Sequence, residues 1–254
     1  MKTKVLLIDP EYPEPRPPPL LRVISNLTHT LWVKSLNERS KVKNTQEIDF
    51  VKMFSFGSQW AVTSGLLSIA SFLKEGFREE DLPYEIEYVN MNYYLHKFGK
   101  SAWKILKEKC ETTLILCLTC TTPNYPNAIR FSRFAKSCHK ELPVVIGGAH
   151  VSFMDREVLK NPSIDIVVRG EGELPLLGII KNLNNKDFSR IGSISYRKGN
   201  KVIRNPTKKL LSSKELPALD YSILPDDFSE RFIVSVSLSR GCCFNCYFCS
   251  ERAM

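Results

Sequence analysis

Five short apolar runs, each separated from the next by a stretch with helical spacing, constrain this chain more than any other feature. The runs are Lys4–Asp9, Tyr84–Val89, Thr113–Thr119, Val144–Ile146 and Ile164–Val168. Thr113–Thr119 is apolar almost throughout, the pattern of a strand covered on both faces. Tyr84–Val89 alternates. Between and after the runs, Gly65–Lys74, Tyr94–Cys110, Pro126–Lys140, Asp155–Asn161 and Leu174–Leu183 read as helices. In the first of these, Leu66, Ile69, Ala70 and Leu73 share one face, and Gly76 stands where a C-cap would fall. Alternation of this kind predicts a parallel sheet with helices on both faces. Ligands of such sheets bind at the carboxyl ends of the strands.

The remaining stretches organise the rest of the chain. Pro10–Pro19 reads as a loop, because proline donates no backbone hydrogen bond. Residues 34–50 are charged without clear periodicity and read as an insertion. Ser193–Arg197 and Lys201–Arg204 flank Lys198-Gly-Asn200, a hairpin signature. Pro206–Phe228 is a polar linker, and Arg231–Ser239 is again strand-like.

With 254 residues, 43% of them hydrophobic and 25% charged, the chain sustains one good core and falls short of a second full domain. This composition excludes a disordered or collagen-like chain. Its apolar runs are far shorter than a membrane span, and Met1–Asp9 lacks the apolar stretch of a secretion signal. A cytoplasmic, non-membrane protein is expected. The formal charge is +9, and residues 181–215 hold ten Lys or Arg against two acids. A solvated basic surface is the plainer reading of that stretch, against nucleic-acid binding.

Four of the eight cysteines, Cys242, Cys243, Cys246 and Cys249, crowd into eight residues. Cys242, Cys246 and Cys249 form C-x3-C-x2-C, a spacing that lets three thiolates converge on one iron–sulfur cubane and leaves the fourth iron open. Two alternatives remain. Cys246 and Cys249 can form half of a zinc site with Cys117 and Cys120, although Cys117 lies in an apolar strand, where a free cysteine usually acts as a small hydrophobe. A Cys-x-x-Cys redox pair needs no Cys242. Cys243 breaks the spacing and is read as a non-ligand.

The stretch Arg240-Gly-Cys-Cys-Phe-Asn-Cys-Tyr-Phe-Cys249 resembles the signature of radical S-adenosylmethionine enzymes, which usually have proline where this chain has Cys243. The resemblance implies a 4Fe–4S cluster on Cys242, Cys246 and Cys249, with S-adenosylmethionine on the open iron and Phe248 beside it. It also implies an electron donor such as ferredoxin or flavodoxin. In that family the loop follows the first strand of a (β/α) barrel, which suits 231–239.

Residues 1–183 separately resemble the Rossmann-like, flavodoxin-like cobalamin-binding domain that precedes the barrel in one branch of the family. The matching pieces are Val5-Leu-Leu-Ile-Asp-Pro10, Thr119-Cys-Thr-Thr-Pro-Asn-Tyr-Pro126, Val145-Ile-Gly-Gly-Ala-His150 and Val167-Val-Arg-Gly-Glu-Gly-Glu173. Glu215-Leu-Pro-Ala-Leu-Asp220 is similar to the branch's interdomain connection. The resemblance implies a groove for the nucleotide tail of cobalamin lined by Thr119, Thr121, Thr122, Gly147, Gly148, His150, Gly170, Glu171 and Gly172. Glycine at strand ends allows close approach to the backbone; the alternative is that these glycines only make turns. Glu173 is read as a turn residue near a helix N-terminus, where negative charge is favourable. The Asp-x-His-x-x-Gly motif, whose histidine ligates cobalt in the mutases, does not occur. The four histidines, His29, His96, His139 and His150, lack that context.

The expected organisation is a cobalamin-binding domain at 1–183, a hairpin and linker at 184–230, and the start of a truncated radical S-adenosylmethionine barrel at 231–254. A barrel needs about 200 residues, so the chain alone is expected to be inactive and substrate identity is unreadable. The implied reaction is methyl transfer or related radical chemistry on an unknown small molecule. The alternatives are a non-catalytic cobalamin-binding module or remnant, and a flavodoxin-like module with a zinc knuckle. No specific nucleic-acid binding is expected: retention on a DNA column should disappear at moderate salt, as non-specific phosphate contacts do, and sequence-dependent retention at high salt would contradict this.

Overall fold

A computed structural model describes residues 4–10, 62–199, 201–207, 210–212, 214–225, 240–244, 246, 247 and 249. The Pro-rich loop beyond Pro10, the insertion, the strand expected over 231–239 and Phe248 lie outside the described residues.

In chain order the elements are β1 (Lys4–Asp9), α1 (Ser64–Glu79), β2 (Glu85–Asn90), α2 (Met91–Phe98), a 3-10 turn (Gly99–Ser101), α3 (Ala102–Thr112) and β3 (Thr113–Thr119). Then come α4 (Tyr125–Cys138), β4 (Val144–Gly147), α5 (Ala149–Val158), β5 (Ile166–Val168), α6 (Glu173–Lys181), the hairpin β6 (Ile194–Lys198) and β7 (Lys201–Arg204), and a 3-10 turn (Tyr221–Ile223). The strands form one sheet in the order β2-β1-β3-β4-β5-β6-β7. β1 to β5 are parallel, with Val5 beside Ile86, Leu6 beside Leu116, Cys117 beside Val145 and Ile146 beside Val167. The expected α/β fold with a Rossmann-like parallel sheet is therefore present.

Right-handed crossovers decide the layers. The chain moves one way from β1 to β2 and the other way from β3 through β4 to β5, so α1 and α4 fall on opposite faces. α6 packs on α1, and α3 packs on α4, where Trp103 stacks on Phe131 at 5.0 Å and meets Phe134 edge-on. The central strands are thereby covered on both sides. Val5, Leu6, Leu7, Ile115, Leu116, Val144 and Ile146 are fully buried, as the near-continuous apolar runs predict.

Three helix boundaries differ from the sequence reading. α1 continues through Gly76 to Glu79. A Cβ at Gly76 would stand 3.3 Å from Leu177 Cδ2; the glycine serves the approach of α6 and does not end the helix. The single helix expected over Tyr94–Cys110 is two helices. Asn90 starts α2 by accepting a hydrogen bond from the Tyr93 backbone N–H at 3.0 Å, and Gly99 ends it at φ +53°. α5 begins at Ala149 and ends at Val158, because Gly148 at φ +106° turns the chain directly from β4 into the helix.

The hairpin forms as read, and it is hydrogen-bonded to the sheet. β6 pairs antiparallel with β5, with Val167 beside Ser195. Asp155 of α5 fixes it there. Its Oδ2 accepts from Ser195 Oγ at 2.5 Å and Arg204 Nε at 2.9 Å, and lies 3.7 Å from Arg169 Nε. Burial pushes the Asp155 carboxyl up, but the hydrogen bonds from Ser195 and Arg204 and the two guanidinium charges outweigh this and hold it below its ordinary value. A depressed carboxyl stabilises the fold above its unfolded pKa, and that contribution is lost as acid protonates the folded state. Asp155→Ala leaves the buried Arg169 uncompensated, so urea unfolding should show a loss of ~3 kcal/mol at neutral pH. The loss relative to wild type should shrink in acid.

Candidate functional site

The order β2-β1-β3-β4-β5 reverses direction between β1 and β3, and ligands of open α/β sheets bind outside the carboxyl ends near such a switch. A cleft of about 1100 Å³ lies at these ends. One wall is α1 with Ser64, Gly65, Ser68 and Ile69. The floor is Thr119, Val145, Gly147, Gly148 and Val168, and Gly170, Glu171, Gly172 and Glu173 form the side. Leu216, Pro217, Ala218 and Leu219 of the linker, together with Arg240 and Gly241, complete the rim.

The predicted cobalamin residues divide into two groups. Thr119, Gly147, Gly148, Gly170, Glu171 and Gly172 line the cleft. Thr121, Thr122 and His150 do not line it. Thr121 is engaged by Asn124, whose Oδ1 accepts from its backbone N–H at 2.7 Å. Thr122 Oγ1 and His150 Nδ1 lie 3.1 Å apart, and the His150 ring rests 4.5 Å from that of Tyr125.

The glycines do different jobs. A Cβ at Gly148 would lie 2.4 Å from the Cys120 carbonyl oxygen, so the close approach there is by the chain's own backbone. At Gly172 the space is taken by Ile69 Cδ1, 2.7 Å from where a Cβ would stand. Gly170 sits at φ +71°, which favours glycine. At Gly147 a Cβ would meet only Val168 at 3.7 Å or more, so this glycine keeps the floor low.

The sequence alone reads Glu173 as a turn residue near a helix N-terminus. It does open α6, but its carboxylate is also buried and paired. Oε1 accepts from Ser68 Oγ at 3.0 Å and from Arg240 Nη2 at 2.7 Å. Arg240 Nη1 stands 3.6 Å from Glu171 Oε1, and Arg240 Nη2 also hydrogen-bonds Ser68 Oγ. The partners are distant in sequence, so no local pattern reveals them. The linker is held in the same way: Lys74 Nζ binds Asp220 Oδ2 at 2.7 Å, and the Asp220 backbone N–H donates to Ser71 Oγ at 2.8 Å.

Cys242, Cys243, Cys246 and Cys249 are exposed and free, and the Cys249 backbone N–H donates to the Cys246 carbonyl at 3.1 Å. Cys117 and Cys120 are buried, and burial pushes the Cys120 thiol up to about 12 and that of Cys117 higher still. Among the described residues no three His, Cys, Asp or Glu are grouped to hold a metal. The donor chemistry of the three loop thiols suits an iron–sulfur cluster. For a large polar ligand, the cleft exceeds the usual ~300–1,000 Å³ of drug-sized sites. Glu171, one of its lining residues, has Oε2 buried without a hydrogen-bond partner among the described residues.

Known proteins share this fold. Residues 58–180 match the B12 binding domain family. An uncharacterized methyltransferase of Pyrococcus horikoshii is 36% identical over 143 residues, 54% of this chain and 31% of that protein. The anaerobic magnesium-protoporphyrin IX monomethyl ester cyclase of Rubrivivax gelatinosus is 30% identical over 160 residues, 58% of this chain and 29% of the cyclase. In fold, the chain superposes on OxsB, a cobalamin-dependent S-adenosylmethionine radical enzyme with aqua-cobalamin and S-adenosylmethionine bound. The TM-score is 0.64 at 18% identity, over 97% of this chain and 28% of OxsB. The radical S-adenosylmethionine methyltransferase TsrM of Kitasatospora setae gives a TM-score of 0.51 at 14% identity, over 88% of this chain and 32% of TsrM. The match to the B12 binding domain family takes in β2 to β5, and the fold of the chain is shared with the N-terminal part of OxsB and TsrM. The chain spans about a third or less of the length of these relatives.

Asp9 ends β1 beside the switch point, and its sequence context shows only the end of a strand. It is buried; Oδ2 accepts from Thr63 Oγ1 at 2.5 Å, and Oδ1 has no partner among the described residues. Burial raises its carboxyl to about 6, against a smaller lowering by Thr63. The folded state therefore keeps this proton to higher pH than the unfolded chain, and stability falls as pH rises from the ordinary 3.8 to about 6. Asp9→Asn should remove that slope and stabilise the protein at pH 7.5 by up to about 3 kcal/mol. Urea unfolding across pH 4–8 checks this, and an unchanged slope would show Asp9 to be solvated.

Proposed function

We propose that this chain binds cobalamin in the cleft at the carboxyl ends of β3, β4 and β5. Its cysteine loop serves a radical S-adenosylmethionine reaction, methyl transfer or related radical chemistry on a small molecule. One observation carries this reading: the strand-end turns of the B12-binding domain and the residues that open the cysteine loop, Arg240 and Gly241, line the same space.

In this proposal Thr119, Gly147, Gly170 and Glu171 receive the cofactor's polar tail, with the Glu171 carboxylate available as an acceptor. Cys242, Cys246 and Cys249 hold three irons of a 4Fe–4S cluster, leaving the fourth for S-adenosylmethionine. When bound, the cofactors supply a methyl carrier and the means of making a substrate radical. The chain's own part is to bind, orient and exclude water. The apolar linker residues Leu216 and Leu219 stand at the rim of the cleft.

Titration with hydroxocobalamin, followed by absorbance, tests the first half. Binding is expected in the wild type, and Gly147→Leu should weaken it at least about tenfold, ~1.4 kcal/mol, by raising the cleft floor. Anaerobic reconstitution tests the second half. The wild type should take up iron and sulfide, and Cys246→Ala should lose the cluster while keeping cobalamin. Zinc without a chromophore in the wild type, or cobalamin binding indifferent to Gly147→Leu, would contradict the respective half.

A further inference from the structure

We propose that Arg240 is a positioning residue that docks the start of the cysteine loop on the cobalamin cleft through the buried carboxylate of Glu173. The inference rests on the cofactor reading above for its purpose, but its geometry stands apart from it. Three segments meet at one carboxylate: Ser68 of α1, Glu173 at the start of α6, and Arg240 two residues before Cys242.

The energetics favour a latch over an incidental surface pair. The Glu173 side chain is 3% exposed and that of Arg240 36%. Exposed ion pairs contribute little, because water and salt screen them. A carboxylate sealed from solvent is different: removing its partner leaves a buried charge uncompensated. The N-terminus of α6 supplies part of the compensation and Ser68 a further hydrogen bond, but neither carries a full positive charge. Arg240 does, and its second nitrogen faces Glu171 at 3.6 Å.

The placement has a consequence for the loop. Gly241 follows at φ +76°, a conformation that side chains resist, so the chain turns sharply as it leaves the docked arginine. Cys242 therefore starts at the rim of the cleft. The guanidinium fork suits two carboxylates at once, whereas a lysine ammonium keeps the charge and loses the second arm.

The test uses the 254-residue chain and four variants: R240Q, R240K, E173Q and the double variant R240Q/E173Q. Urea unfolding without cofactors comes first. R240Q should lower the folding equilibrium constant by about tenfold or more, and R240K by less. Adding E173Q to R240Q should recover most of the loss, because no charge is then left buried. Strictly additive losses would overturn the docking.

The second measurement is electron paramagnetic resonance of chain loaded with iron, sulfide and hydroxocobalamin and then reduced. The wild type should show magnetic interaction between the cluster and cobalt. R240Q should keep the iron and cobalamin content but lose the interaction, and R240K should restore part of it. Unchanged interaction in R240Q would overturn the positioning role. Failure of the wild type to take up cobalamin or iron would overturn the functional reading, while the unfolding cycle still decides whether Arg240 docks.

Discussion

Parallel pairing of β1 with both β2 and β3 is the constraint from which the site follows. Parallel strands share one direction, so every carboxyl end arrives at the same edge of the sheet. Because the order runs outward in both directions from β1, the helices that follow β1 and β3 leave on opposite faces and part at that edge. The opening between them is a product of connectivity, and side chains refine it. Buried Val, Leu and Ile fill both faces of the central strands, so the helices on either side have apolar surface to pack against.

The fold was largely legible because its signals are local. Thr113–Thr119, Lys4–Asp9 and the Lys198-Gly-Asn200 hairpin each carry their own pattern within a few residues, and the structure places strands there. Helix ends were less legible. Gly76 looks like a stop in isolation, and only Leu177 on another helix shows why the chain passes through it. The cleft was half legible. Gly147, Gly170 and Gly172 stand at strand ends and could be placed from the alternation alone. Thr121 and Thr122 stood in the same loop as Thr119, but Asn124 and His150 engage them away from the cleft. The linker's part in the rim, and Arg240 with Glu173, depend on tertiary contacts that no window of sequence contains.

The two ionic groupings in this molecule show how burial sets the role of a charge. Asp155 sits among Ser195, Arg169 and Arg204, fully answered, and ties a helix to a hairpin. Asp9 is equally buried and answered mainly by Thr63, and its carboxyl moves the other way. Two aspartates of one chain thus part by environment alone. Asp9 ends β1 at the carboxyl edge, sealed from water with one oxygen that has no partner among the described residues.

The antiparallel hairpin at β6 and β7 has a consequence for the basic stretch of the chain. A sheet that stopped at β5 would expose the apolar strand Ile166–Val168 as its edge. The hairpin moves that edge outward to β7, where Lys201 and Arg204 stand at either end of a four-residue strand. Arg204 is tied back to Asp155, and Lys201 is a charged residue of the kind that discourages pairing at an edge strand. Part of the positive excess between residues 181 and 215 thus lies along the outer edge of the sheet, where a solvated charge needs no particular partner.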